Sequence, residues 1–325
     1  MSQGNNIILK VENLSKIFKI KTSLFERKNL YALNNISIEI KKGKTVALVG
    51  ESGCGKTTLG KVIIGLYSPN SGKILFKNKD ITFLSPQQRG KIQKDIQMIF
   101  QDPYASLNPR KKIFTILETP LKIFTTLNKK ERIKKLEETC ENVGFDVSYL
   151  NRYPHQFSGG QRQRIAIARA IILNPLFIVA DEPVSALDVS IQAQILNLLM
   201  DLQEKLSLTY LFITHDISVV KHISDYVAVM YLGEIVEYSL KRELFKNPLH
   251  PYTKILFSAV PDIENPVLNE SLLKAGEVSS PIDLPEGCFF APRCPLKDDK
   301  CLKEKPELIN VTENHKVRCF KIKNL

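Results

Sequence analysis

The stretch VALVGESGCGKTTLGKVIIGL at 46–66 decides the fold. VALV at 46–49 is a continuous apolar run closed by Gly50, the pattern of a central strand covered on both faces, and TTLGKVIIGL at 57–66 reads as a helix. Between them, GESGCGKT at 50–57 has the spacing G-x-x-x-x-G-K-[ST]. A strand that passes through a glycine-rich loop into a helix N-terminus makes a cradle for anionic oxygens, because backbone N–H groups turn inward and the positive end of the helix faces the same point. Gly50, Gly53 and Gly55 permit the tight loop, and Glu51 and Ser52 complete it. Lys56 reaches the β- and γ-phosphates of a nucleotide, the Thr57 hydroxyl can hold Mg²⁺, and Cys54 and Thr58 add backbone contacts. Cys54 reads as a small residue that fits the loop rather than a reactive thiol.

Outward from this unit, IILKVENL at 7–14 and NISIEI at 35–40 alternate apolar and polar residues as half-buried antiparallel strands do. The stretch from about 108 to 175 has little strand character and many helical segments, such as KKERIKKLEETCENVG at 129–144, and reads as an inserted helical subdomain. Strands return with LFIVA at 176–180, YLFIT at 210–214 and DYVAVMYL at 225–232, separated by helix-patterned segments. That alternation predicts an α/β core with a parallel sheet. After PLHPYT at 248–253 and Pro261 the chain becomes Pro- and Cys-rich and poor in long periodic elements. The expectation is one large domain over 1–262 and a small separate domain over 263–325.

Composition narrows the functional classes. With 325 residues and 43% hydrophobic content the chain can bury a large core. Its longest apolar runs fall far short of the ~18 residues that span a bilayer, and the first ten residues lack a secretory pattern, so a cytoplasmic compartment is expected. The net charge of +12 is compatible with nucleic acid, an anionic membrane surface or a Lys-rich proteome. From Ile263 to Leu325 ten basic residues balance ten acidic ones, so there is no basic tail of the kind that binds nucleic acid. Of six cysteines, Cys54 and Cys140 are isolated, whereas Cys288, Cys294, Cys301 and Cys319 crowd the end. In a cytosolic chain such a cluster points to metal sooner than to disulfides.

Two further motifs carry chemistry. FIVADE at 177–182 is a buried strand that ends in Asp181 and Glu182, placed to coordinate Mg²⁺ and to polarise a water for attack on the γ-phosphate, respectively. FSGGQ at 157–161 precedes QRQRIAIARAIIL, whose apolar residues recur at helical spacing, so Ser158, Gly159 and Gly160 lie at a helix N-terminus that offers a hydroxyl and amides to an anion.

Together these motifs resemble an ATP-binding-cassette nucleotide-binding subunit. The resemblance implies a P-loop fold with a RecA-like core, an antiparallel β subdomain and the helical insert. It also implies that Ser158, Gly159, Gly160 and Gln161 of one subunit cap the ATP held by another. Phe18 matches the family's aromatic that stacks on adenine. Gln101 in IFQDP matches the glutamine that contacts Mg²⁺ and water. Ser185 to Asp188, reading SALD, match a loop at the dimer interface, and His215 in FITHD matches the histidine at the γ-phosphate.

FQDPYASLNPR at 100–110, YPHQFSGGQRQRIAIARA at 153–170 and DEPVSALDVSIQAQILNLL at 181–199 are similar to the ATPases of oligopeptide and dipeptide importers, specifically the second of their two paralogous ATPases; HPYTKILFSAVP at 250–261 and the region 287–319 share that similarity. The resemblance implies a hydrolytically competent subunit at the cytoplasmic face of the membrane. Its expected partners are a paralogous ATPase in a heterodimer, two permeases and an extracytoplasmic peptide-binding protein. Related tails hold a 4Fe-4S cluster on four cysteines, which would make Cys288, Cys294, Cys301 and Cys319 its ligands here. Zinc is the alternative, and thiols without metal the plain one. Nickel or short glycans stay open as cargo. A soluble cassette ATPase acting on nucleic acid would carry tandem cassettes, a coiled-coil insertion or C-x-x-C modules, none of which the sequence contains.

Overall fold

The computed structural model describes residues 6–21, 26–258 and 280–322. The described residues form two compact units, one built from those within Leu9–Ile40, Thr45–Thr82 and from Thr214 onward, the other from Phe83–Ile213 with Lys41–Lys44 and residues 6–8.

The first unit begins with β1 (Ile7–Lys21) and β2 (Arg27–Lys41), followed by β3 (Thr45–Val49), which leads into the glycine-rich loop, and by β4 (Ser71–Phe76) and β5 (Lys79–Asp80). Four of these make an antiparallel sheet in the order β2-β1-β4-β5, with Leu9 opposite Phe76 and Val11 opposite Ile74. β1 and β2 run well beyond the alternating stretches 7–14 and 35–40. The cause is local: Asn13 and Asn35 adopt positive φ, and the β1–β4 register shifts between Glu12 and Ser15. An extra residue inverts the in–out alternation while pairing continues. Side chains hold the kink, since the Asn13 N–H donates to the Ser37 hydroxyl at 3.0 Å and the Asn35 N–H to the Ser15 hydroxyl at 3.1 Å.

The second unit holds β6 (Ile96–Ile99), β7 (Phe177–Asp181) and β8 (Thr209–Ile213), paired in parallel with Asp181 opposite Ile213. All five residues of β7 and of β8 are buried, as a strand covered on both faces requires. Each large apolar side chain so covered contributes about 1.5–3 kcal/mol. No strand occurs among the residues 108–175. Helices Ile113–Phe124, Lys129–Asn142 and Gly159–Ile171 occupy that region. Asn128 and Glu131 form a capping box that starts the middle helix. Buried Glu118 on the first helix accepts from Lys122 at 2.7 Å and from Arg132 of the middle helix at 3.1 Å, so two cations compensate its burial.

The chain then returns to the first unit through β9 (Tyr226–Tyr231), β10 (Glu234–Leu240), β11 (Ile309–Thr312) and β12 (His315–Val317). β9 lies parallel to β3, β10 antiparallel to β9, and the tail strand β12 antiparallel to β10, with β11 outside it. This corrects the expectation of a tail set apart from the rest: its strands extend the sheet that carries the glycine-rich loop. The expected boundary at 262 and 263 lies outside the described residues. A buried carboxylate fastens the joint. Glu237 on β10 accepts from the backbone N–H groups of Leu249 and His250, at 2.8 and 3.0 Å, and faces the His315 ring nitrogen of β12 at 2.7 Å. Among the described residues no helix is long and apolar enough to cross a membrane.

Candidate functional site

In the first unit β3 feeds the loop 50–55 and the helix Lys56–Ile63. Gly55 caps that helix at φ +107, and a Cβ there would lie 2.2 Å from the Ala32 carbonyl oxygen, so only glycine fits. The Lys56 side chain is turned into the loop, where Nζ donates to the carbonyls of Gly50 at 2.8 Å and Glu51 at 2.9 Å and lies 3.8 Å from Cys54 Sγ. Lys56 and Cys54 are both buried, and burial pushes the Cys54 thiol above its ordinary pKa, as suits a packing residue rather than a nucleophile. Thr57 and Thr58 follow on the first turn, half-buried.

Two sequence-predicted residues of this unit stand outside the loop. Phe18 is half-buried on β1, its ring edge-on to Tyr67 at 5.4 Å and with Lys16 Nζ 4.9 Å from its centroid. His215 is exposed just before the helix Ile217–Ile223. It is not that helix's cap, because Asp216 accepts from the Ser218 N–H at 2.8 Å.

In the second unit β7 delivers Asp181, buried, and then Glu182, which takes the left-handed conformation at φ +46. Glu182 donates its N–H to the Ile213 carbonyl at 2.9 Å and accepts from Gln101 Nε2 at its carboxylate, 3.0 Å away. A non-glycine residue at positive φ costs of order 1 kcal/mol and persists where its surroundings hold it, often at a working site. Its carbonyl also accepts from the Ser185 N–H at 3.3 Å and hydroxyl at 3.2 Å, which ties the exposed loop Ser185–Asp188 to the strand end. Asp188 begins the helix Val189–Leu206.

Ser158 caps the helix Gly159–Ile171 in a capping box: its hydroxyl accepts from the Gln161 N–H at 3.4 Å, and its N–H donates to Gln161 Oε1 at 3.0 Å. Ser158, Gly159 and Gln161 are exposed. Gly160 sits so close to the neighbouring helix that a Cβ would meet Ile191 Cγ2 at 2.6 Å.

Residues 33–185 match the ABC transporter family and residues 236–301 the C-terminal region of oligopeptide/dipeptide transporters. The oligopeptide transport ATP-binding protein AppF of Bacillus subtilis is 50% identical over 96% of this chain and 96% of its own length. The dipeptide transport ATP-binding protein DppF of Escherichia coli is 47% identical over 93% of this chain and 90% of its own. The chain belongs to the ATP-binding proteins of the oligopeptide and dipeptide ABC transporters. Among solved structures, the ATP-binding cassette MJ0796 in a dimeric post-hydrolysis state bound to ADP and Pi is similar at a TM-score of 0.64 and 32% identity, over 71% of this chain and 98% of that one.

The tail of this ABC protein departs from the expected metal centre. Cys288, Cys294, Cys301 and Cys319 do share a neighbourhood: burial, with a smaller push from the other three thiols, raises the Cys288 thiol to about 11. The Cys288 N–H donates to the Cys301 carbonyl at 2.8 Å. Yet among the described residues no three His, Cys, Asp or Glu side chains are disposed to hold a metal ion. The expectation of a 4Fe-4S or zinc site therefore finds no support in the side-chain geometry.

Two residues of the first unit escaped the sequence reading. Arg293 pairs with the Glu51 carboxylate, Nη1 to Oε2 and Nη2 to Oε1, both at 2.9 Å. The Tyr252 hydroxyl accepts from the Glu51 N–H at 2.9 Å. The signal available was HPY at 250–252, read only as similarity to the peptide-importer ATPases, and nothing in the spacing of Arg293 marks it.

Proposed function

We propose that the chain binds and hydrolyses ATP to energise the uptake of oligopeptides or dipeptides through partner permeases. The observation that carries this reading is the relation to peptide-transport ATP-binding proteins over nearly the whole length, the C-terminal region included. In this reading the loop amides and Lys56 hold the β- and γ-phosphates, and Phe18 stacks on the adenine. Asp181, Thr57 and Gln101 offer only oxygen donors of the hard kind that Mg²⁺ takes. That ion, when bound, neutralises charge on the phosphates. Glu182 accepts a proton from the attacking water, Gln101 orients the carboxylate, and His215 contacts the γ-phosphate. Ser158, Gly159, Gly160 and Gln161 face the ATP of a paralogous subunit across an interface that includes Ser185 and Asp188.

The reading extends to the assembly: a heterodimer with the paralogue, peripheral on the cytoplasmic face beneath two permeases and fed by an extracytoplasmic peptide-binding protein. For the tail we propose a 4Fe-4S cluster, with zinc second; the shared neighbourhood of the four thiols is its support, and their present side-chain placement is against it. Purification of the tagged chain from membranes tests the assembly. Two polytopic permeases and a second ATPase should co-purify, with ATP turnover stimulated by peptide-loaded binding protein. Recovery of nucleic acid in their place, lost at high salt, would overturn the reading.

A further inference from the structure

Glu51 is the only acidic residue of the loop 50–57, so a segment that receives a polyanion carries a negative charge of its own. The structure places a cation from the C-terminal segment on that charge. Both carboxylate oxygens accept from the Arg293 guanidinium at 2.9 Å, a two-pronged pair whose arginine side chain is only 8% exposed. Its hydrogen bonds to Glu51 are the main reason the guanidinium holds its proton even more firmly than usual. The rest of Glu51 is held as well: its N–H donates to the Tyr252 hydroxyl, and its carbonyl accepts from Lys56.

Arg293 is itself fixed. It ends the short turn Ala291–Arg293, whose first N–H donates to the Cys288 carbonyl at 2.9 Å, and its guanidinium carbon lies 5.8 Å from the ring centroids of Tyr231 and Phe290. Phe290 in turn packs against Tyr231 at 5.3 Å and Tyr252 at 5.5 Å. A buried aromatic cluster thus carries the C-terminal arginine to the second residue of the loop.

We propose that Arg293 is a positioning residue of the ATP site: it cancels the Glu51 charge and, with Tyr252, fixes the loop entrance, so that the C-terminal segment sets the affinity for ATP. This rests on the reading of the loop as the ATP site. Without the guanidinium, the Glu51 carboxylate would face the phosphates uncompensated, and the repulsion would be strongest at low salt.

The test measures the Kd of ATP by calorimetry on the full chain, for the wild type, Arg293→Gln, Glu51→Gln and the double variant, with thermal unfolding of each. Arg293→Gln should raise Kd by ~3–10-fold, more at low ionic strength, and the double variant should return to within about 2-fold of wild type, because the charge to be cancelled is gone. A wild-type Kd in Arg293→Gln, or a double variant as weak as Arg293→Gln, overturns the proposal. Either result would leave Arg293 as a tie for the tail that is read only in the unfolding midpoint. If Arg293→Gln does not fold, Arg293→Lys serves instead: it keeps the charge and loses one prong, so a Kd within about 3-fold supports charge cancellation and a larger loss overturns it. Failure of the wild type to bind ATP would refute the site itself, a separate outcome from any of these.

Discussion

Gln101 Nε2 and Glu182 Oε2 lie 3.0 Å apart, a hydrogen bond that links Gln101, two residues beyond β6, to Glu182, the residue just after β7. The parallel pairing of β6 and β7, with Ile99 opposite Ala180, brings the two strand ends level and makes this contact a product of register. Glu182 therefore reaches its conformation with its carboxylate already oriented. Glu182→Gln keeps the size and most of the hydrogen bonding but cannot accept a proton. Phosphate release should fall by about 10²–10⁴-fold while the Kd of ATP stays within a few-fold. Turnover near the wild-type rate would remove Glu182 from the role of base.

The start of the helix Gly159–Ile171 depends on a missing side chain. A Cβ on Gly160 would lie 2.6 Å from Ile191 Cγ2, and one on Gly159 would lie 3.3 Å from Leu187 Cδ2. Gly160→Ala should therefore destabilise the protein by about 1–3 kcal/mol, the range for overpacking a close contact. Ile191→Ala should recover much of that loss when combined with it, since it removes the opposing methyl. Denaturant titration of the two single variants and the double variant measures the coupling; simple additivity would mean that the clash is relieved elsewhere.

Much of this arrangement was legible in the sequence, for identifiable reasons. β3, β7 and β8 are apolar throughout because both faces are covered, and that run needs no knowledge of partners. The loop was legible because positive φ at Gly55 and a close carbonyl admit only glycine, so the chemistry appears in the residue types. The full lengths of β1 and β2 were hidden, because Asn13 and Asn35 invert the alternation on which a strand is recognised. The attachment of the tail was hidden too. It rests on Glu237, His315 and Arg293, polar residues whose burial is decided by partners far along the chain, and a single sequence carries no local sign of such pairing.

His250 makes the joint between tail and sheet sensitive to acid. It is buried, and that burial pushes its pKa down to about 4, with the Glu237 charge opposing the effect, the Arg318 charge adding to it and a backbone hydrogen bond involving Arg318 opposing it. Its Nδ1 accepts from the Tyr252 N–H at 3.1 Å, which requires an unprotonated nitrogen, and Phe290 lies against the ring. In the unfolded chain the same histidine titrates near ~6.5. The unfolded state thus binds the proton first, so the contribution to stability is complete above pH ~6.5 and is lost as pH falls toward 4, on the order of 3 kcal/mol. His315, facing Glu237, shares this neighbourhood, so the histidines are separated by substitution. Thermal unfolding between pH 7 and 4 should show a steeper loss in the wild type than in His250→Gln; parallel curves would assign the acid sensitivity elsewhere.

The tail thiols give the last prediction. Cys288 and Cys294 flank the Arg293 turn, Cys301 is tied to Cys288 through the backbone, and Cys319 follows β12, so the four cysteines share one region of the tail although no three of their side chains are disposed to hold a metal. Thiolate-only ligation by four cysteines suits an iron-sulfur cluster, and binding would replace the thiol protons. Protein purified without oxygen should then be brown, with broad absorption near ~400 nm that Cys301→Ser abolishes. Colourless protein with one equivalent of zinc lost in the same variant would exchange iron for zinc in a four-thiolate site. Metal-free protein with an unchanged ATP affinity would make the thiols packing residues, and the hold of Arg293 on Glu51 would then rest on the aromatic cluster and the β10–β12 pairing alone.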